Sequence, residues 1–344
     1  RLFMKIKRPT PVVPLSTRVP DYLIIPTVYG DISYLQNLQF LRKYASKVVI
    51  ATSNHESEKF YRELKSICRA EGFRYIVAEV PIAKNGIPVK NAYSIYAGVF
   101  KHLQSSYILN GTPCVLIDAD TYATSNVNNL VRAFLKSPHH IASLRCEVSK
   151  PKTTIEKLQA FEYTLAMDNR RVDTWLTSGA CNIATARTYH RVFASHSGHF
   201  AGGDIEIGKI ATVMGLNVGH IDFTFYTAAP DKFKDWFKQR IIWSAGGFRH
   251  HVTNIGSFGW YHFFLLMYNS LIIYLLFPLR WVELVNYPQT MVALIVISYI
   301  YLYFFATKRK WKKEYFLLPV YSGIQSMIIL PIAAYRYFTC VYNQ

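Results

Sequence analysis

From Phe258 onward the sequence passes through three stretches without a charged side chain, 258–279, 288–307 and 315–335. Each is about 20 residues long, the length an α-helix needs to cross the hydrocarbon layer of a bilayer. Backbone groups in lipid must pair within their own segment, so these stretches are expected to be helices. Three in succession are foreign to a soluble core. The third carries Pro319 and Pro331. KRKWKK (308–313) separates the second stretch from the third, whereas Arg280 is the sole basic residue between the first and second. The positive-inside rule then places 308–313 and the large N-terminal region in the cytosol, with 280–287 and the C-terminus outside. The opening RLFMKIKRPTPVVP has basic residues followed by prolines. It reads as a juxtamembrane linker over 1–20, with no signal-peptide pattern and room for an upstream helix before it.

The first 250 residues have ordinary polar content and alternate strand with helix. DYLIIPT (21–27), KVVIATSN (47–54), FRYIVAEV (73–80) and PCVLIDAD (113–120) read as strands. Helical spacing appears near 32–43, after Glu56 and over 90–104. This alternation predicts an α/β fold with a mostly parallel sheet, which binds ligands at the carboxyl ends of its strands. The chain has 344 residues and a formal net charge of +18. Such a balance suits an anionic partner, and the membrane face accounts for part of it without nucleic acid. Five cysteines show no CxxC spacing, which argues against a zinc site or a disulfide framework.

CVLIDADTYATSN (114–126) ends a buried run in Asp118 and Asp120. Two like charges so close repel, so a cation between them is the natural complement. They face one way if the chain leaves strand geometry at Ala119. Hard carboxylate oxygens on a turn suit Mg²⁺ or Mn²⁺, with a diphosphate completing the shell. The plain alternative is an Asx turn with solvated carboxylates.

Several motifs in order resemble the membrane-integrated family-2 glycosyltransferases, the group of hyaluronan, chitin and cellulose synthases. DYLIIPTVYGD looks like the opening strand of the GT-A (Rossmann-like) fold. GIPVKNAYSIYAG, LIDADT, LQAFEYTLAMDNRR (158–171), TSGACNIATA (177–186) and GGDIEIGKIA (202–211) follow in sequence. YTAAPDKFKDWFKQRIIWSAGG (226–247) resembles the interfacial helix bearing Gln-x-x-Arg-Trp. The resemblance implies inverting, metal-dependent transfer of a sugar from a nucleotide-diphosphate sugar, with UDP-sugar the expected donor. It implies a GT-A domain over 21–225, amphipathic interfacial helices over 226–256, about three transmembrane helices within 257–336, and a tail over 337–344. It makes Asp204 the general base, with Glu206 as the alternative. A helix N-cap is the structural reading of Asp204. Donor contacts fall on Thr27, Ser53, Asn54, Lys90, Asp118 and Asp120, the last holding Mn²⁺ or Mg²⁺. Acceptor contacts fall on Gly179, Gln239 and Trp243. Phe233, Trp236, Phe237 and Ile241 make an amphipathic face for the headgroup region, with Trp236 an anchor there.

Two departures stand out. Ile242 occupies the motif's arginine position, leaving Arg240 as the phosphate candidate and Arg249 as a further one. No carboxylate is expected at the end of the second strand, where Ser53 or Asn54 is left to meet the base, and Gly203 replaces the usual glutamate before Asp204. The leading expectation is a polysaccharide synthase that also translocates its product. An upstream helix or an oligomer would complete its channel. The alternatives are transfer to a lipid or polyprenyl-phosphate acceptor, and a membrane scaffold with a degenerate transferase domain.

Overall fold

The computed structural model describes residues 9–12, 20–105, 111–172, 175–198, 202–258, 281–282, 285–290, 292–293, 296–297, 299–300 and 312–342. The chain divides into two compact units: Arg1–Ser149 with Tyr163–Ala228, and Lys150–Glu162 with Ala229–Gln344.

The first unit is built on seven strands, β1 (Leu23–Thr27), β2 (Val49–Ser53), β3 (Arg74–Ala78), β4 (Pro113–Asp118), β5 (Ile141–Val148), β6 (Cys181–Thr185) and β7 (Val218–Thr227), in the order β3-β2-β1-β4-β6-β5-β7. β6 runs antiparallel to both β4 and β5, and the other pairings are parallel. Alternate residues face opposite sides of a strand. Ile24, Val115 and Ile117 therefore join one core layer, and Leu23, Ile25, Cys114 and Leu116 the other. The first layer is closed by α2 (Glu58–Glu71) and α4 (Val127–Lys136), through Phe60, Leu64, Leu130 and Phe134. The second is closed by α3 (Ala92–Ser105), α6 (Ala186–Ala194) and α7 (Gly203–Val213), through Ile95, Phe100, Tyr189, Phe193 and Ile207. A four-residue α1 (Leu38–Leu41) precedes β2. With both faces covered, the parallel strands read as continuous apolar runs, which is why the sequence announced them.

The β1–β2 ladder is interrupted, with Thr27 opposite Ala51 and a separate bridge between Ile24 and Val48. This fits Pro26, which has no N–H to give. Within the expected 1–20 linker, Thr10 docks on the outer edge of β7. Its N–H donates to His220 O at 2.9 Å, and its carbonyl accepts from Asp222 N at 2.9 Å. A docked segment there shields a strand edge that would otherwise invite pairing.

The second unit holds the start of α5 (Thr154–Val172), α8 (Phe233–Phe258) and a helical stretch Lys313–Tyr337. Among the described residues, that stretch alone is long and apolar enough to cross a membrane. It corresponds to the third expected span. The first lies outside the described residues apart from Phe258, and the second is described in short helical pieces. A π-turn, Gln325–Ile329, interrupts the third, and Pro319 stands in its first helical turn, where a missing N–H costs nothing.

Two expectations change here. Tyr226 and Thr227, expected in the interfacial segment, are the last residues of β7. Trp236 is no headgroup anchor: it is fully buried, and its Nε1–H donates to Tyr321 Oη at 2.8 Å. Tyr321 in turn donates to Glu162 at 2.5 Å, and Arg240 donates to the same oxygen from two nitrogens, at 2.7 and 3.1 Å. An indole N–H is a donor that burial must satisfy, and a tyrosine hydroxyl here supplies the acceptor. Removing one partner of a buried ion pair leaves the other uncompensated. Arg240→Leu is therefore expected to destabilise this unit by about 3 kcal/mol, read as a lowered unfolding temperature. An unchanged temperature would mean the pair contributes nothing.

Candidate functional site

β4 ends at Asp118, and the chain turns at Ala119 and Asp120. Buried Asn37 pins this turn, its Nδ2 donating to Thr121 O at 2.7 Å and Asp118 O at 3.2 Å. The N–H groups of Gln36 and Asn37 both donate to Ala119 O. The two carboxylates thus stand at the carboxyl edge of the sheet, with Thr27 at the register position beside Asp118. Asp120 is oriented from the end of β7: the Thr227 hydroxyl lies 3.1 and 3.2 Å from its two oxygens, and Ala228 N donates at 3.3 Å. Asp118 lacks such donors and is half-buried at the strand end. Burial, then the charges of Asp120 and Asp204, push its pKa up to about 8.

Asp204 lies in the first turn of α7, one residue beyond Gly203. The helix N-cap is Gly202, in the left-handed conformation, so Asp204 is not the cap. The Thr177 hydroxyl donates to its backbone carbonyl, and Arg170 Nη2 lies 3.8 Å from Oδ2. Burial raises the carboxyl above its ordinary range, and Arg170 is the largest influence holding it down. Gly179 lies against this group, since a Cβ there would come within 3.2 Å of Asp204 Oδ2. A side chain at 179 would cover the carboxylate. Glu206, the alternative base, is buried and accepts from Ser197 N at 3.0 Å and Ser197 Oγ at 2.8 Å. It ties down the loop before α7.

The second-strand end holds a correction. A carboxylate does stand there, supplied by Glu56 three residues past Ser53. It accepts from Ser53 Oγ at 2.5 Å and Gly30 N at 2.9 Å, with Lys90 Nζ at 3.5 Å. Its side chain is 2% exposed. Lys90 also donates to His55 O at 3.2 Å, so this candidate phosphate contact is paired with Glu56. Ser53 is spent on Glu56, and Asn54 Oδ1 accepts from Val80 N at 3.2 Å. Both side chains serve the chain itself.

Gln239, Arg240 and Trp243 lie on α8 in the second unit. Arg240 Nη1 donates to Gln239 Oε1 at 2.6 Å, and its guanidinium stacks 4.2 Å from the Trp243 ring centroid. Arg240, the phosphate candidate, is 2% exposed and paired with Glu162, so its charge is already used. Trp243, expected as an acceptor contact, is exposed, with the Arg240 guanidinium over its ring.

Sequence reasoning missed Asn37, Arg170, Thr177 and Thr227. Arg170 had a signal, as one of two arginines closing a helix. The other three act through side chains brought to the site from segments distant in sequence, which no local pattern encodes.

The two carboxylates suit a hard divalent cation. Among the described residues Asp118 is left without a partner to compensate its burial, which is why its pKa is raised, and Asp120 is held with both oxygens in place. Among the described residues, no three His, Cys, Asp or Glu side chains come together in a metal-holding group. The remaining ligands would come from a diphosphate and water, as is usual for Mg²⁺.

The comparisons with known proteins extend this picture. A mannosyltransferase from Pyrobaculum calidifontis, solved with GDP-Man and Mn²⁺, superposes over 97% of this chain and 91% of its own. Its TM-score is 0.62 at 13% identity, which shows a shared GT-A fold. A putative glucose-1-phosphate thymidylyltransferase from Bacillus anthracis aligns over 60% of this chain and 89% of its own at TM-score 0.35 and 12% identity, too low to bear on the fold. No curated protein matches. The family model described as glycosyl transferase family group 2 matches residues 114–307, more than half of the chain and inclusive of Asp118, Asp120 and Asp204, and the chain belongs to that family.

Proposed function

We propose that this glycosyltransferase moves a sugar from a nucleotide-diphosphate sugar to a growing glycan, with inversion and with the help of Mn²⁺ or Mg²⁺. The observation that carries the reading is the grouping of Asp118, Asp120 and Asp204 at the carboxyl edge of one sheet, in a chain of this family. Asp204 takes the proton of the acceptor hydroxyl as that oxygen attacks the anomeric carbon. The bond to the diphosphate breaks on the opposite side, and its electron pair leaves with the phosphate oxygen. A metal held by Asp120 and Asp118 would neutralise that charge. Arg170 opposes the upward pull of burial on Asp204, Gly179 leaves its carboxylate open to the acceptor, and Glu56 stands where β2 would meet the nucleoside.

The apolar stretch Lys313–Tyr337 and the basic run before it support an integral membrane protein with its catalytic domain in the cytosol. The test is diphosphate release by the detergent-purified protein from GDP-mannose, UDP-glucose and UDP-N-acetylglucosamine, with Mn²⁺, Mg²⁺ or EDTA. Turnover of one donor, lost in EDTA, is expected. A product ladder on a gel identifies a polymer, and a single lipid-soluble product identifies a lipid acceptor. No turnover with any donor, lipid extract included, overturns the reading and leaves a non-catalytic membrane protein.

A further inference from the structure

The place where a family glutamate is expected, Gly203, is filled from another element. A Cβ at Gly203 would come within 2.2 Å of Tyr93 Cδ2, 2.5 Å of Cε2 and 2.6 Å of Cγ. The Tyr93 ring therefore rests directly on the glycine preceding the candidate base. It also stacks on His196, with centroids 5.3 Å apart and planes 19° apart. His196 is itself fixed at both nitrogens: Gly198 N donates to Nδ1 at 3.0 Å, and Nε2 lies 2.9 Å from Gly203 O. With Nδ1 accepting, Nε2 carries the proton, so the imidazole is neutral. Buried Asn91 completes the clamp. Its Oδ1 accepts from Tyr93 N at 3.0 Å and Ser94 N at 2.9 Å, and its Nδ2 donates to Gly198 O at 2.7 Å. Three segments, 91–94, 196–198 and 203–206, thus hold one aromatic ring against the glycine beside the candidate base. Burial and the charges of Asp204 and Asp118 raise the phenol well above its ordinary range, so it stays a hydrogen-bond donor.

We propose that Tyr93 is a substrate-contacting, specificity-determining residue, whose clamped ring bounds the donor-sugar pocket beside Gly203 and whose hydroxyl donates to one oxygen of the transferred sugar. This deepens the glycosyl-transfer reading and rests on it. A site built to hydrogen-bond a substrate hydroxyl rejects analogues that lack it, because a buried polar group is then left unpaired.

The test uses the full-length protein, Tyr93→Phe, and the fastest donor of the panel above together with its single-position deoxy analogues. For wild type, one analogue is expected to lose about 10- to 100-fold in kcat/KM, which corresponds to about 1.4–2.7 kcal/mol. Tyr93→Phe is expected to lose a similar factor with the parent donor and nothing further with that analogue. A packing role would give losses that multiply. Gly203→Ala, which pushes the ring aside, is expected to reproduce the Tyr93→Phe pattern at an unfolding temperature that reports its packing cost separately. Equal kcat/KM for wild type and Tyr93→Phe, or losses that multiply for every analogue, overturn the assignment while leaving the transferase reading intact. A wild type that turns over no donor overturns the functional reading and this one with it.

Discussion

Asp204→Asn is expected to lower sugar transfer by about 10²–10⁴-fold, the usual contribution of a positioned general base. Donor binding should change little, because the amide keeps the size of the carboxyl and its backbone contact with Thr177. Donor affinity by titration and turnover by diphosphate release separate the two effects. Transfer at the wild-type rate would remove Asp204 from the mechanism. The pH profile supplies a second reading of the same residue. Burial raises Asp204, so its ionised, competent form is lost as pH falls through a value above the ordinary carboxylate range. The acid limb of kcat/KM should accordingly lie above that range. Arg170 opposes the shift, so Arg170→Gln should move the limb to higher pH, while the glutamine can still donate toward Thr177 O. A limb that stays in place would show that another group sets it.

Asp118→Asn is expected to abolish metal-dependent transfer and yet stabilise the ligand-free protein. The folded-state pKa of Asp118 is pushed up to about 8 by burial and by Asp120 and Asp204. In the unfolded chain the same group titrates near 3.9. Between these values the folded state binds the extra proton, so stability falls as pH rises through that window and is flat above it. The amide removes this dependence. One pKa unit corresponds to about 1.4 kcal/mol, and water reaching this partly exposed group lowers the full effect to on the order of 2 kcal/mol. The advantage of the variant should be absent near pH 4, grow with pH and level off above the folded-state value. Mn²⁺ should raise the unfolding temperature of wild type more than that of the variant. Equal temperatures for the two proteins across the range would show that Asp118 carries no buried charge.

Much of this was legible in the residues. Strands β1 to β4 and helices α2 and α3 follow from apolar runs and helical spacing, because a parallel sheet covered on both faces needs uninterrupted hydrophobic strands. The Asp-Ala-Asp turn was legible for the complementary reason: a buried run that stops in two carboxylates marks a strand end. The third uncharged stretch appears as the helix Lys313–Tyr337. Glu56 was overlooked because it lies three residues past its strand, and only the closure of the loop onto Gly30 and Ser53 brings it back. Trp236 and Arg240 looked like interfacial and phosphate-binding groups on a single amphipathic helix. Their partners Tyr321 and Glu162 lie far away in sequence, at separations of 85 and 78 residues.

The sequence by itself determined the periodic elements, the carboxylate turn and the apolar C-terminal helix, since each depends on neighbours within a few residues. Tertiary structure alone decided which polar groups are already paired. It paired Arg240 and Lys90 with glutamates, fitted Tyr93 against Gly203, and set Arg170 beside Asp204, because burial and charge pairing depend on distances that only chain closure defines.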